Sequence, residues 1–330
     1  FRRVLFRSGG MTSWAQAPQL APLNPDFAAW QNSKAATVSS EGHPLGWIPS
    51  PASRPNLKQY SPSEDAKSLP TSYDLRTLGD LTPVGNQVVS GPCWAFAAIG
   101  ALEGSLLHLH DLTFNFSEHH LINHHGFDWG PFAGGNNDLS TAYFLRGTGP
   151  INETDDPYTT TIGAPSPNGP LQRYVKNSWE LTTRADIKAA IMNYGPVATN
   201  MYYDDPYYNA GSYAYYCPTN FTTNHGIALV GWNDSMNISG HIGAWIVKNS
   251  WGTSWGASGY FYLAYDDAAS LDNVAIFTDI VPPNTYSTIY QYDPLGMVGS
   301  MGWGGPTGYA ANRFYPTANE EIVAVSFYAK

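Results

Sequence analysis

The sequence predicts an α+β fold of two lobes, a helical lobe followed by a β-rich lobe. Apolar residues recur at helical spacing between residues 92 and 194, whereas residues after Gly195 alternate in short runs between turn residues. With 330 residues, 43% of them hydrophobic, the chain is long enough to bury a sizeable core. Helices first and strands second favour segregated lobes over an alternating βαβ arrangement.

Four helices are predicted in the first half. The first begins near Pro92, because Phe96, Ile99, Leu102 and Leu106 follow helical spacing and proline is tolerated in a first turn. The other three run from a Ser117 cap through Ile122, from an Asp138 cap to Gly147, and from about Ala185 to Tyr194 before Gly195-Pro196.

Strands are predicted in the second half, where alternating runs are bounded by turn residues. The predicted strands are Val197–Tyr203, Gly226–Trp232, Ala244–Lys248, Gly259–Tyr265 and Val274–Val281. A Pro-Pro-Asn break near residue 282 separates them from a tyrosine- and glycine-rich stretch. That stretch ends on an alternating run, Glu321–Tyr328, which is predicted to be a strand.

Charge and cysteine content exclude several classes of protein. The chain has 16 Lys and Arg against 26 Asp and Glu, a net charge of −10, and no basic run, so a nucleic-acid surface is not expected. No apolar run reaches the length of a membrane span. The two cysteines, Cys93 and Cys217, allow one disulfide but no disulfide framework.

Cys93 is the candidate nucleophile. It lies where the first helix is predicted to begin, directly after Pro92, so its sulfur is near the positive end of the helix dipole. A cysteine attacks a carbonyl carbon as the thiolate, and a helix N-terminus lowers the thiol pKa. On this position alone, a buried structural thiol is the alternative interpretation.

The neighbourhood of Cys93 resembles the nucleophile segment of the papain family. Gln87 lies six residues before Cys93, and Gly91, Cys93 and Trp94 match three places of the family's five-residue signature. Ser90 stands where the family has a cysteine that forms a disulfide. Pro92 replaces a small residue but leaves the amide of Cys93 available.

Two downstream motifs complete the resemblance, which extends over about residues 69 to 282. His225 lies 132 residues after Cys93, and Asn249 opens an Asn-Ser-Trp-Gly-x-x-Trp-Gly-x-x-Gly-Tyr string 156 residues after it. The resemblance implies a papain-like cysteine protease. In it, Cys93 attacks the scissile carbonyl, His225 protonates the leaving amine, Asn249 orients the histidine, and Gln87 helps to hold the oxyanion.

The same resemblance implies the substrate-binding residues. Gly134 and Gly135 match a glycine pair whose backbone pairs with the extended substrate in the family. Asn224 and Trp251 are also expected to bind substrate, and Trp251 is expected to shield the hydrogen bond between His225 and Asn249. The pocket that reads a substrate side chain is expected to be lined by Asn136, Asp272 and Asn273.

Four segments are predicted. Residues 1–10 are unlike the rest of the sequence and are interpreted as non-native or remnant residues. Residues 71–282 are predicted to form the peptidase domain. Residues 11–70, rich in Pro, Ala, Ser and Asn, are a leader or propeptide-like segment, with a disordered linker as the alternative. Residues 283–330 resemble the beginning of a lectin-like β domain and offer too few residues to close a β-sandwich, so the natural chain is expected to continue.

The expected partners are protein or peptide substrates, with a glycan or cell-surface ligand as a candidate for the lectin-like segment. No cofactor, metal, nucleic acid or membrane span is expected. The lectin-like segment and the leader resemble those of secreted bacterial and archaeal proteins, so the protein is expected to be secreted or on the cell surface. The alternative function is a catalytically silent adhesin with a vestigial peptidase domain.

A cluster of histidines invites a metal-binding interpretation. Six of the nine histidines lie between His108 and His125, and His120 and His124 share a helical face. The sequence has no His-Glu-x-x-His order and no nearby set of cysteines or carboxylates. A solvated helix-and-loop cluster is therefore the favoured interpretation.

Overall fold

The structure is a computed structural model, and it describes residues 37–50, 69–285, 288–290, 313–316, 318–323 and 325. All of these belong to one compact unit that begins at Lys34. The described helices are α1 (Leu75–Leu78), α2 (Cys93–His110), α3 (Glu118–His124), α4 (Asn137–Leu145) and α5 (Arg184–Tyr194). A short 3₁₀ turn covers Asp205–Tyr207.

The described strands form one sheet. They are β1 (Ser72–Asp74), β2 (Tyr174–Leu181), β3 (Val197–Met201), β4 (Tyr208–Asn209), β5 (Ala214–Tyr215), β6 (His225–Ile238), β7 (His241–Lys248), β8 (Tyr260–Ala264) and β9 (Val274–Val281). Their order is β2-β9-β3-β6-β7-β8-β5-β4, and β1 pairs with β6. The pairings are antiparallel, except that β5 runs parallel to β8. The predicted α+β architecture is confirmed.

Two hydrophobic cores correspond to the two lobes. The first lies around α2, whose Ala95, Ala98 and Leu102 are fully buried because small residues let the helix approach the sheet closely. The second lies among the strands and includes Trp232 and Phe261. Burying such aromatic side chains removes much apolar surface from water, so both cores stabilise the fold without a disulfide.

The third helix has a different cap from the predicted one. Asn136, not Asp138, is its N-cap: its side chain accepts a hydrogen bond from the amide of Asp138, and the helix ends at Leu145. An asparagine side chain satisfies a free amide at a helix start as well as an aspartate does. Asp138 lies inside the first turn instead, where its negative charge interacts favourably with the positive end of the helix dipole.

Strand β2, Tyr174–Leu181, was not predicted from the sequence. This strand pairs along its length with β9, from Tyr174 opposite Val281 to Leu181 opposite Val274. It is an edge strand whose residues are mostly half-buried, so its side chains carry no clear alternation of apolar and polar residues. Pairing with a strongly apolar neighbour decides its conformation.

The predicted strand at Glu321–Tyr328 lies only partly within the described residues. There the prediction is wrong, because Glu321, Ile322 and Val323 are exposed and belong to no strand. Tyr290 donates a hydrogen bond of 2.6 Å to a carboxylate oxygen of Glu320, which joins two parts of this segment. The predicted remnant, residues 1–10, lies outside the described residues.

The described part of the leader, residues 37–50, lies on the peptidase lobes. It begins as a hydrogen-bonded turn, in which the amide of Leu45 donates to the carbonyl of Thr37 over 2.9 Å. Leu45, Trp47 and Ile48 follow with at most 2% of their surface exposed. Apolar residues of the leader therefore contribute to the packing of the peptidase.

Candidate active site

Cys93 is the first residue of α2. Its Sγ is fully buried and accepts a hydrogen bond of 3.2 Å from the amide of Gly226, the residue after His225. Pro92 is the N-cap, and its carbonyl accepts from the amides of Ala95 and Phe96. The amides of Cys93 and Trp94 precede the first intrahelical bond, so they remain available to the sulfur or to a substrate oxygen.

His225 and Asn249 come together because β6 and β7 are antiparallel neighbours. His225 begins β6 and Asn249 follows the last residue of β7. Asn249 Oδ1 accepts from the amide of Ser250 over 2.8 Å and from His225 Nε2 over 2.8 Å. A carbonyl oxygen only accepts, so Nε2 carries the proton of the neutral ring. Nδ1 is then the basic nitrogen, and it has no hydrogen-bond partner among the residues that the structure describes.

Trp251 covers this pair. Its ring stacks on the His225 imidazole with centroids 4.7 Å apart and planes 27° apart. The ring is 7% exposed, and it packs edge-on against Tyr203 and Trp255. Trp251 therefore covers one face of the imidazole, and its expected shielding of the hydrogen bond to Asn249 stays a prediction.

Gln87 is buried between the helix start and the Asn249 loop. Its Oε1 accepts from Ser250 Oγ over 2.7 Å, and its Nε2 donates to the carbonyl of Val89 over 3.0 Å. Its backbone amide donates to the carbonyl of Ser250. These bonds hold the Gln87 amide in place and leave its second N–H available, since a primary amide carries two.

Burial keeps the thiol and imidazole uncharged in this form of the protein. Desolvation raises the pKa of the Cys93 thiol to about 12, although the amides of Gly226 and Trp94 oppose it. Desolvation lowers the pKa of His225 to about 4, although its hydrogen bond to Asn249 opposes it. Burial therefore disfavours the charged form of each group.

The leader contributes to that burial because it passes through the cleft. The carbonyl of Asn224 accepts from the amides of Gly46 and Trp47, over 3.0 and 2.8 Å. Gly135 pairs with the leader in parallel: it donates to the carbonyl of Gly46 and accepts from the amide of Ile48, each over 2.9 Å. The residues predicted to bind substrate therefore contact the chain's own leader, and their role toward a substrate stays a prediction.

Gly134 shows why a glycine pair lies at this point. Its φ is +91°, and a Cβ there would lie 2.7 Å from the carbonyl oxygen of Gly46. Asn136, the cap of α4, donates from its side chain to the carbonyl of Ile48 over 2.9 Å, so it also contacts the leader. Asp272 and Asn273 instead donate from their amides to Asn200 Oδ1, over 3.0 and 3.4 Å.

Two residues important to the cleft were not found from the sequence. His43 Nδ1 lies 2.7 Å from Asp205 Oδ1, and the His43 ring stacks on Trp251 at 4.8 Å. The two residues are 162 positions apart, and neither lies in a motif. The proline-flanked apolar run beginning at Leu45 indicates that the leader packs on a surface, but it does not indicate the contact between His43 and Asp205.

The prediction that the histidine cluster is solvated is wrong for His119, His120 and His125, which are at most 2% exposed, and members of the cluster are engaged in hydrogen bonds. His119 Nδ1 lies 2.8 Å from an oxygen of Asp156, and His120 Nδ1 lies 2.6 Å from the hydroxyl of Tyr143. Within the described ranges, no group of three or more His, Cys, Asp or Glu residues is arranged to hold a metal ion.

In the same part of the chain, no helix is long and apolar enough to cross a membrane.

A cavity of about 520 Å³ lies behind Asn249, between the lobes. Lys248 and Glu103 line this cavity. The Lys248 ammonium donates a hydrogen bond of 2.8 Å to the carbonyl of Thr82, and the Thr82 hydroxyl donates one of 2.7 Å to the Glu103 carboxylate. Burial raises the pKa of Glu103 to about 6. This network links α2 to the end of β7 and so fixes the distance between the two halves of the site.

Comparison with known proteins adds two family assignments. A family model described as papain family cysteine protease matches residues 69–279, well over half of the chain. A second model, described as lectin like domain, matches residues 289–330.

Individual cysteine proteases are also similar to this chain. A probable cysteine protease of Arabidopsis thaliana is 31% identical over 223 residues, which cover 63% of this chain and 59% of that protein. Mouse procathepsin L is 32% identical over 208 residues, covering 60% of this chain and 61% of that protein. The chain therefore spans less than two thirds of the length of these relatives.

A solved structure that contains both kinds of domain is similar to this chain. It contains the cysteine protease and lectin-like domains of Cwp84, a surface layer associated protein of Clostridium difficile. The TM-score is 0.65 at 26% sequence identity, and the match covers 79% of this chain and 59% of that one.

Proposed function

Because this chain belongs to the papain family of cysteine proteases, we propose that it hydrolyses peptide bonds through Cys93, His225 and Asn249. One observation carries the proposal. Asn249 Oδ1 is oriented by the amide of Ser250 and accepts a hydrogen bond from His225 Nε2, which leaves His225 Nδ1 as the base, while the amide of the next residue, Gly226, donates to Cys93 Sγ. A nucleophile, a base and a group that orients the base are what acyl transfer requires.

The steps follow from these positions. Nδ1 of His225 takes the thiol proton while Cys93 Sγ bonds to the scissile carbonyl carbon, and the carbonyl oxygen becomes an oxyanion. As the oxyanion collapses, the C–N bond breaks and Nδ1 passes its proton to the leaving amine. A water molecule then attacks the acyl-enzyme and gives a proton to Nδ1. The carbon–sulfur bond breaks, which releases the acid and restores the thiol.

Two donors are assigned to the oxyanion. These are the backbone amide of Cys93 and the side-chain amide of Gln87, which Ser250 and Val89 hold in place. Donors fixed before the reaction stabilise the developing negative charge without further reorganisation, and each is worth about 3 kcal/mol in other acyl-transfer enzymes.

The leader acts as an inhibitory segment in this proposal. It occupies the backbone groups of Gly135 and Asn224 that an extended substrate needs, and it accompanies full burial of the nucleophile. Its displacement or removal would admit both water and substrate. Such an arrangement keeps the enzyme inactive until the leader leaves.

The test is a pair of cysteine substitutions in a chain beginning at Leu69. Cys93→Ala is expected to abolish peptide hydrolysis and labelling by an epoxysuccinyl inhibitor, because it deletes only the nucleophilic sulfur. Cys217→Ala is the matched control, since that thiol is also buried but donates to the carbonyl of Thr219 outside the cleft. Labelling of Cys217 in the wild-type chain, or hydrolysis by Cys93→Ala, would contradict the assignment.

A second candidate function rests on the lectin-like match at residues 289–330. The related Cwp84 structure comes from a surface layer associated protein, which favours a secreted or cell-surface location and a glycan or surface ligand for this segment. Binding and proteolysis are compatible in one protein. A chain that binds glycans but whose Cys93 resists the inhibitor even without the leader would favour the silent adhesin.

A further inference from the structure

The leader crosses the cleft in a fixed register. At one end Trp47 and Ile48 lie beside Gly135, and in the middle Leu45 accepts from the amide of Gly91 over 2.6 Å. At the other end Pro44 accepts from Trp251 Nε1 over 2.9 Å. Because His225 gives its proton to the leaving amine in the proposed mechanism, the end beside Trp251 is the leaving-group side of the cleft.

A side chain of the leader fills a pocket at that end. The ring of His43 stacks on Trp251 with 4.8 Å between centroids and 18° between planes. Its Nδ1 lies 2.7 Å from Asp205 Oδ1, and the edges of Tyr203 and Trp255 complete the aromatic wall. The Asp205 side chain is only 6% exposed. A flat ring with a hydrogen-bond donor is thus held between an indole face and a carboxylate.

Asp205 depends on the leader for most of its hydrogen bonds. Its oxygens accept from Ser39 Oγ over 2.5 Å, from the amide of Glu41 over 2.7 Å and from Ser40 Oγ over 3.3 Å. Among the described residues outside the leader, Tyr203 donates to this carboxylate, over 3.2 Å. Without the leader this carboxylate would lose most of its donors and become accessible, so that water or a cationic side chain could replace them.

We propose that Asp205 and Trp251 form a subsite that selects a cationic side chain on the leaving-group side of the scissile bond, with His43 as its occupant in the leader-bound form. This rests on the proposed function. A guanidinium fits best, since it is flat, always charged, stacks on an indole and donates two hydrogen bonds to a carboxylate. A carboxylate in the same place would face Asp205 and is excluded by repulsion.

The first test uses the full chain and the rate at which iodoacetamide labels Cys93 at neutral pH. His43→Glu is expected to raise the rate at least tenfold, because repulsion from Asp205 loosens the leader. His43→Arg is expected to leave it unchanged or to lower it. The matched control is His241→Glu, since His241 also pairs with an aspartate, Asp266, at 2.6 Å and stacks on Tyr216, but lies on β7 away from the cleft.

The second test measures selectivity in the loosened His43→Glu chain. Internally quenched peptides that differ only in Arg or Glu after the scissile bond are compared by kcat/KM, and Arg is expected to be favoured at least tenfold. Adding Asp205→Asn is expected to reduce that ratio below threefold. An unchanged ratio, equal cleavage of both peptides, or equal labelling of the His43→Glu and His43→Arg chains would overturn the subsite. Labelling needs no turnover, so a chain that labels as expected but cleaves neither peptide contradicts the proposed function instead.

Discussion

At the residue scale, the chemistry depends on which nitrogen of His225 carries the proton. The amide of Ser250 donates to Asn249 Oδ1, and that oxygen accepts a hydrogen bond from His225 Nε2, which therefore keeps the ring proton. This places the basic lone pair on Nδ1. An asparagine can do this without adding a charge to a site that burial already makes unfavourable for charges.

Asn249→Ala is expected to lower kcat about 100-fold with little change in KM, because a mispositioned acid–base group loses most of its catalytic effect. The measurement is steady-state hydrolysis of a fluorogenic peptide by the chain beginning at Leu69. Asn200→Ala is the control, since Asn200 bonds to Thr223 and to backbone outside the triad. A rise in KM with kcat unchanged would show that Asn249 binds substrate rather than orienting His225.

The thiol of Cys93 gives a pH prediction with a definite sign. Burial raises its pKa to about 12, so the thiolate is scarce at neutral pH and increases with pH up to that value. In the full chain, the alkylation rate is expected to rise steadily from pH 6 to about pH 10 without a plateau. In the chain beginning at Leu69, hydration should permit the thiolate–imidazolium pair and a plateau across neutral pH. A neutral plateau in the full chain would contradict this role of burial.

At the element scale, the leader is an extended segment with a parallel bridge between Trp47 and Gly135, and in the proposed function it lies where substrate would bind. Close approach at its centre requires glycine: a Cβ on Gly46 would lie 2.5 Å from both the Cα and the carbonyl oxygen of Gly91. Backbone atoms cannot move aside as a flexible side chain can. The register of the leader in the cleft therefore depends on this one residue.

Gly46→Ala is expected to weaken docking of the leader by about 1–3 kcal/mol, the usual cost of overpacking. The readout is faster labelling of Cys93 in the full chain. Gly42→Ala is the matched control, since Gly42 also has a positive φ, +89°, but open space where a Cβ would lie. Equal labelling of the two variants would mean that backbone strain, not the contact with Gly91, decides docking.

At the scale of the whole molecule, the leader is part of the hydrophobic packing of the peptidase. Leu45 belongs to the strand core and Trp47 to the helical core, so the leader contacts both lobes. Each fully buried side chain of this size contributes about 1.5–3 kcal/mol, reduced by the entropy of ordering the segment.

A chain beginning at Leu69 is therefore expected to melt about 5 °C or more below the full chain while keeping its secondary structure. The measurement is thermal unfolding followed by circular dichroism. Hydrolytic activity of the shorter chain should exceed that of the full chain under the same conditions. Equal melting temperatures and equal activities would leave residues 37–50 as a linker, the alternative that composition left open.

The sequence by itself determined the α+β class, most helices and strands, and the family, because hydrophobic periodicity and short motifs are local properties of the chain. It placed Cys93 at a helix start and gave His225 and Asn249 from their motifs. The edge strand Tyr174–Leu181 and the Asn136 cap were not predicted, since pairing with a neighbour and the choice between adjacent capping residues are settled by packing.

Only the tertiary structure decided what surrounds the site. The contact between His43 and Asp205, the stacking of His43 on Trp251, and the burial that keeps Cys93 and His225 uncharged all join residues far apart in the chain. Local patterns carry no record of such contacts. They arise because the apolar leader gains stability by filling a cleft that the two lobes form together, and its polar residues then pair with whatever donors and acceptors line that cleft.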